Sequence, residues 1–366
     1  MLKFPVSIKM RFRNILVRAT NWVGDAVMSV PALQALREQF PEARISILAR
    51  PWVASLYGRE PFCDELLSYD APRGWRGVSR KWSVASDLRR RKFDCAILFQ
   101  NAFDAAALVR AAGVPTRIGY SRDVRAWLLT HPVPVPRAGE TPRHQRFYYL
   151  ELLKRAGLID GYPLEKPIRL AGAEAAAQEG RSEFQKRGFP GRMIGVSPGA
   201  AYGGAKRWLP ERFAEAAVRL GREHGAGIAI FGSKEEEPIA EIVREAIGAA
   251  GVACLNLAGR TTLAEFIGMV AVCDLFLTND SGPMHIASAL GVPTVAIFGA
   301  TDEEATGPTG QSSRVVRVQV ECSPCLLREC PIDHRCMARV SAEQVAEAAL
   351  SLVEIENWTH ETKSSR

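Results

Sequence analysis

Three short polar stretches carry the residue types that could do chemistry. The first, Asn21-Trp22-Val23-Gly24-Asp25, follows the apolar run NILVRA and puts a carboxylate in the first turn of the next helical pattern. The second runs from Ser197-Pro198-Gly199 to Gly203-Gly204-Ala205-Lys206-Arg207 and joins flexible backbone to two cations. The third, Asn279-Asp280-Ser281-Gly282-Pro283, ends one apolar run and opens a helix whose first turn holds His285. A helix start presents unpaired N–H groups and the positive end of a dipole, so a phosphate suits the third stretch. Asp, Ser and Pro at helix starts also act as ordinary caps, and Asp25 alone reads equally as a charge on its own helix dipole. Taken together, the three fit a nucleotide-activated substrate better than three unrelated caps. Neither the GxGxxG dinucleotide fingerprint after the first strand nor a P-loop occurs, which weakens dehydrogenase and NTPase readings.

The elements that must position these loops recur twice. In the first half NILVRA, ARISILA, DELLSY and FDCAILFQ alternate with helical patterns near 26–39, 79–91 and 103–112, followed by RIGYS, LLTHPVPV and a helix near 142–157. The second series has RMIGVSP, GIAIFGS, ACLNLA, DLFLTND, PTVAIFG and RVVRVQV, with helices near 210–224, 235–249, 262–272, 283–290 and 342–356. Short apolar strands alternating with helices are parallel βαβ units. The expected fold class is therefore α/β, with two doubly wound domains at 1–165 and 192–341, joined by a linker at 166–191 whose Ala-rich helix is bounded by Pro and Gly. In such sheets ligands bind where loops leave the carboxyl ends of strands, which is where all three polar stretches fall.

With 366 residues, 47% hydrophobic and 24% charged, the chain has a globular composition, and no apolar stretch reaches the roughly 18 residues of a membrane span. Charges interrupt the basic first fourteen residues before a signal-peptide core develops, so a cytosolic chain with reduced cysteines is expected. The net charge of +7 is uneven, because residues 1–160 hold 26 Lys and Arg against 14 Asp and Glu. The densest basic stretch is Arg73, Arg76, Arg80, Lys81, Arg89, Arg90, Arg91 and Lys92. It favours an anionic partner, with solvated helix faces as the plain alternative. No aromatic-interleaved RNA motif or helix-turn-helix pattern accompanies it, so nucleic acid is not expected.

Cys322, Cys325, Cys330 and Cys336 form a C-x2-C-x4-C-x5-C set with His334 as a substitute ligand. The count satisfies tetrahedral structural zinc, whereas the spacing is not a common zinc pattern, and reduced, unligated thiols fit equally well. No D-x-D triplet occurs, so phosphate charge must be met by lysine and backbone, and magnesium from solution stays open as an assistant.

WVGDAVMSVPALQALREQFP, SPGAAYGGAKRWLPERFAEAA and FLTNDSGPMHIASALGVPTVAIFG, in this order and at these separations, resemble the lipopolysaccharide heptosyltransferases of glycosyltransferase family 9 over nearly the whole chain. The Trp-Val-Gly-Asp and Asn-Asp-Ser-Gly-Pro forms resemble the heptosyltransferase II branch. The resemblance implies a GT-B fold: two Rossmann-like domains facing an interdomain cleft, the first for acceptor and the second for nucleotide sugar, with the helix at 342–366 packing back on the first. It implies inverting transfer of L-glycero-D-manno-heptose from ADP-heptose to the inner-core heptose of lipopolysaccharide (heptose-Kdo-lipid A). The enzyme would work peripherally on the cytoplasmic face of the inner membrane, with no cofactor required for catalysis.

Carried over position by position, the resemblance makes Asp25 the catalytic base, with Asn21 and Gly24 beside it. Lys206 becomes the diphosphate ligand together with Ser281 and Gly282, and Asp280 the holder of sugar hydroxyls. Ser197, Asn279 and His285 are further cleft candidates. Gly232 with Glu235 or Glu236 in FGSKEEEP would meet the ribose, and backbone at Arg260 and Thr261 the adenine, while Thr262 reads alternatively as a helix cap. The Arg-rich segment around 73–92, with Trp75 and Trp82 as interface anchors, is the expected membrane-docking element. The rivals are a related transferase of another sugar or core position (heptosyltransferase I/III-like) and, more distantly, a non-catalytic anion-binding protein.

Overall fold

The structure, a computed structural model, describes residues 12–71, 77–189 and 191–355. The chain divides between Lys166 and Pro167 into two units. In the first, β1 (Asn14–Arg18), β2 (Arg44–Ala49), β3 (Glu65–Ser68), β4 (Cys95–Leu98), β5 (Thr116–Tyr120) and β6 (His131–Val133) form a parallel sheet in the order β3-β2-β1-β4-β5-β6. In the second, β7 (Met193–Ser197), β8 (Gly227–Ile230), β9 (Cys254–Asn256), β10 (Leu275–Asn279), β11 (Thr294–Ile297) and β12 (Ser313–Val316) repeat that winding as β12-β11-β10-β7-β8-β9.

The strands read as unbroken apolar runs because parallel sheets are covered on both faces. Ile15, Leu16 and Val17 in β1 and Leu275, Phe276 and Leu277 in β10 have no exposed surface. Helices stop where glycine can turn left-handed: Gly225 (φ 60°) ends Pro210–His224 and Gly291 (φ 82°) ends Gly282–Leu290. Each sheet winds outward from its first strand and then reverses. Its carboxyl-end crevice therefore lies between β1 and β4 in one unit and between β7 and β10 in the other.

One expectation about the chain's organisation is corrected. The supposed linker contains helix Ala173–Lys186, which packs along helix Leu263–Val270 as part of the second unit. The packing is close because glycines meet there: a Cβ on Gly180 would lie 1.9 Å from the Gly268 carbonyl oxygen. A glycine inside a helix costs about 1 kcal/mol, which this backbone contact offsets. The last helix, Ala342–Ile355, packs within the second unit. Val345, Ala346, Ala349 and Leu352 join a core with Trp208 and Phe213, against helix Pro210–His224 and strands β11 and β12. Among the described residues no helix is long and apolar enough to cross a membrane.

Candidate functional site

In the second unit, the residues expected to bind the donor gather at the crevice between β7 and β10. Lys206 ends a short turn after β7, and its Nζ lies 2.6 Å from Asp280 Oδ2 and 3.4 Å from the Asp280 carbonyl oxygen. Asp280 is only 3% exposed, so its charge needs partners. Its Oδ2 also accepts from Thr301 Oγ1 at 2.6 Å and Thr306 Oγ1 at 3.4 Å, both beyond β11. The Lys206 ammonium sits 5.0 Å from the Tyr202 ring centre, and the Arg328 guanidinium 5.2 Å from the same ring. Ser281 and Gly282 follow immediately. Ser281 is extended and its side chain makes no capping bond, while a helix start leaves its first N–H groups without intrahelical partners.

Asn279 braces these loops. It is fully buried; Trp208 N donates to its Oδ1 at 3.0 Å, and its Nδ2 donates to the carbonyls of Pro198 (2.8 Å) and Gly199 (3.2 Å). Ser197 and His285 are buried beside it in sequence order, at the end of β7 and in the helix after β10.

The candidate nucleoside residues form a neighbouring group. Gly259 N donates to the Gly232 carbonyl at 2.9 Å, joining the loops after β8 and β9, and Arg260 and Thr261 come next. Glu236 accepts from Ser233 N at 2.8 Å, and its carboxyl group lies where a Cβ on Gly199 would be, 2.2 Å away. Glu235 is exposed, and bonds from backbone N–H and from Ser233 hold its carboxyl below the usual range. Arg260 pairs with Glu237 at 3.5 Å, and Thr262 caps its helix through a reciprocal pair with Glu265.

The cysteine segment has a bracing role that sequence reasoning missed. Ala205 N donates to the Arg328 carbonyl at 2.9 Å, Gly204 N to Glu329 Oε1 at 3.0 Å, Tyr202 Oη to the Leu326 carbonyl at 3.0 Å, and His334 Nε2 to the Ala205 carbonyl at 3.0 Å. A Cβ on Gly203 would lie 2.3 Å from the Arg328 oxygen, so the paired glycines permit this approach. The four cysteines are free thiols lining a cavity of about 70 Å³ with His334, and burial pushes the Cys336 thiol up. Among the described residues, no three His, Cys, Asp or Glu side chains are arranged to hold a metal ion. His334, the substitute ligand considered for these thiols, is engaged with the lysine loop.

In the first unit, Asp25 lies in the first turn of helix Val23–Gln39, at the crevice between β1 and β4. It lines a cavity of about 270 Å³ with Asn21, Trp22, Gln100, Asn101, Arg122, Gln145, Tyr148 and Tyr149 among others. Gly24 sits in the same turn. Tyr149 Oη donates to Asp25 Oδ1, and burial together with the Asp25 charge pushes this phenol well above its ordinary range.

Two buried arginines, also missed, shape the cavity. Arg18 Nη2 donates to Asn21 Oδ1 at 2.9 Å, and its Nη1 reaches the carbonyls of Ala19 and Leu48 at 2.6 and 3.3 Å. Arg125 Nη2 donates to Asn101 Oδ1 at 2.9 Å, its Nε to the Tyr120 carbonyl at 3.0 Å and its Nη1 to the Gln100 carbonyl, while burial pushes its pKa down to about 10. Asn101 Nδ2 in turn donates to Tyr148 Oη at 2.9 Å. The available signal was a charge inside an otherwise apolar strand, Arg18 in NILVRA.

Of the expected docking segment, Arg73, Trp75 and Arg76 lie outside the described residues. Arg89 donates to the Ala111 carbonyl at 2.6 Å, Arg90 pairs with Asp87 at 3.0 Å, and Arg91 pairs with Asp87 and Glu65. They occupy the C-terminal end of helix Val78–Arg90, at the edge where strands begin, since the Arg91 carbonyl accepts from Asn14 at the start of β1.

Two doubly wound parallel sheets, one with a carboxylate cavity at its switch point and the other with a lysine and a helix start at the equivalent place, are the architecture of the GT-B sugar transferases. Comparison with known proteins narrows this. Residues 81–335 match Glycosyltransferase family 9 (heptosyltransferase). The chain is 31% identical to lipopolysaccharide heptosyltransferase 2 of Escherichia coli K12, over 83% of this chain and 88% of that protein. It is 27% identical to lipooligosaccharide heptosyltransferase 2 of Campylobacter jejuni strain 81116, over 91% and 97%. The solved structure of E. coli ADP-heptose LPS heptosyltransferase II superposes with a TM-score of 0.77 at 27% identity, covering 94% of this chain and 99% of that one. The chain belongs to glycosyltransferase family 9 and is a glycosyltransferase.

Proposed function

We propose that this enzyme is an inverting heptosyltransferase of the second type. In this reading it moves L-glycero-D-manno-heptose from ADP-heptose to the inner-core heptose of lipopolysaccharide, working peripherally at the cytoplasmic membrane face. Relatives named heptosyltransferase 2 across most of the chain support the substrates. The observation that carries the donor half is the Lys206 ammonium held on Asp280, directly before the helix start at Ser281-Gly282.

The reaction is a single displacement. Asp25 takes the proton of the acceptor hydroxyl as its oxygen attacks the anomeric carbon, and the bond from that carbon to the diphosphate oxygen breaks on the opposite face. The electron pair leaves on ADP, whose growing charge is met by Lys206 and by backbone N–H groups at the helix start. The Tyr149 hydroxyl donates to one Asp25 oxygen and holds the carboxylate in place for this role.

Asp280, fixed by Thr301 and Thr306, orients the sugar hydroxyls. Of the two glutamates, Glu236 is assigned to the ribose, because it is the one set between Gly199, Ser233 and Gly232 at the crevice. Backbone at Arg260 and Thr261 faces adenine. Nothing in this scheme requires metal; magnesium carried on the diphosphate would add to the charge Lys206 supplies, and zinc on the cysteines would act only on the fold of their segment.

ADP release from ADP-heptose tests the proposal, with heptose-Kdo-lipid A as acceptor and Asp25→Ala run in parallel. Turnover should need both substrates and be lost in the variant. Donor binding without turnover would remove the acceptor assignment, and no donor binding would remove both.

A further inference from the structure

Six of the eight exposed large apolar side chains among the described residues of the first unit are ordered along its chain. Trp22 follows β1, Trp52 follows β2, Trp82 lies near the start of the helix after β3, Phe103 opens the helix after β4, and Val124 and Trp127 follow β5. They are between 46% and 85% exposed. In a βαβ unit the helix runs back against the strand, so strand ends and helix starts share one edge of the sheet. Five successive connections thus place a large apolar group on the edge that also carries Asp25.

Contacts tie this rim together. The Phe103 and Trp127 rings are 6.1 Å apart, and Lys81 pairs with Asp104 at 3.2 Å, joining the starts of the helices that bear Trp82 and Phe103. Arg50, which also pairs with Asp70 at 3.0 Å, lies over Trp52 at 5.6 Å, and Arg110, in the last turn of the helix that Phe103 opens, lies over Trp127 at 5.5 Å. Soluble surfaces usually carry such residues singly. An indole beside a guanidinium suits the lipid–water boundary, where the ring enters the headgroup layer and the cation meets phosphate.

We propose that this edge docks on an anionic lipid bilayer through Trp82, Phe103, Val124 and Trp127. The basic end of helix Val78–Arg90 is then not the contact: Arg90 and Arg91 are paired with carboxylates on the opposite edge. The inference rests on the lipid-anchored acceptor proposed above, because docking by this edge sets the Asp25 cavity on the side from which such an acceptor arrives.

The test compares Trp82→Ser/Trp127→Ser with Arg89→Gln/Arg90→Gln in sedimentation with phosphatidylglycerol–phosphatidylethanolamine vesicles that carry no saccharide. The tryptophan variant should lose about tenfold in partition and the arginine variant less than about twofold. Turnover is then read on vesicle-embedded acceptor and on the same saccharide stripped of its acyl chains, and only the first should fall in the tryptophan variant. Unchanged vesicle binding in that variant overturns the proposal, as does loss confined to the arginine variant. Equal loss on both acceptors would assign the rings to the saccharide instead. Absence of transfer by any form would sink the transferase reading while the vesicle arm still decides docking.

Discussion

The Tyr149 hydroxyl donates to Asp25 Oδ1 at 3.1 Å, joining two residues 124 positions apart in sequence. This bond fixes one oxygen of the proposed base. Tyr149→Phe should therefore lower kcat by about tenfold and leave the donor KM within about twofold. Tyr149 itself, pushed far above its ordinary range, should contribute no alkaline limb to the kcat/KM pH profile. Asp25→Asn should lower kcat by about 10²- to 10⁴-fold. An unchanged kcat in Tyr149→Phe would detach Tyr149 from the base.

Lys206 and Thr301 both hold Asp280, but in the proposed reaction only Lys206 brings charge to the leaving group. Lys206→Ala should lower kcat by about 10²- to 10³-fold. Thr301→Val removes one bond to a buried carboxylate and should cost about tenfold, mostly in donor KM. Steady-state kinetics with varied ADP-heptose separates the two, and equal effects on kcat would contradict the division of roles.

Glu236→Gln should raise the donor KM by about tenfold or more, whereas Glu235→Gln should stay within about threefold. Gly199→Ala should resemble Glu236→Gln, because its Cβ would displace the Glu236 carboxyl group. ADP binding by calorimetry checks all three, and a larger effect at Glu235 would transfer the ribose to that residue.

Gly180→Ala should destabilise the protein by about 1–3 kcal/mol through overpacking against Gly268. Urea unfolding measures it. A loose interdomain connection would tolerate the change or gain from it.

His334→Ala should raise the donor KM by about three- to tenfold with little change in kcat, since His334 holds the Ala205 carbonyl rather than the substrate. Metal analysis of the purified protein decides separately whether the four thiols carry zinc.

The sequence pattern located helix Pro210–His224 to the residue and the other predicted helices to within a few positions, because parallel sheets leave unmistakable apolar runs and helical periods between them. It left segment 173–186 as a connection, because periodicity shows that a helix has an apolar face but not which unit covers it. The three polar loops stood out through glycine and charge at strand ends. Arg18 and Arg125 did not, because their work is done on backbone carbonyls far away in sequence. The brace from Leu326 to His334 was hidden similarly, behind cysteines whose spacing suggested metal.

The two sheets wind identically, and each group of site residues is organised by partners from its own unit, Arg18 and Tyr149 for Asp25, Thr301 and His334 for the lysine loop. Inheritance can therefore act on them as separable modules. Under the proposed division of acceptor and donor between the units, a lineage that changes its outer saccharide can rewrite residues before Lys166 while leaving the activated-sugar half intact, and recombination near Lys166–Pro167 would exchange an acceptor preference whole.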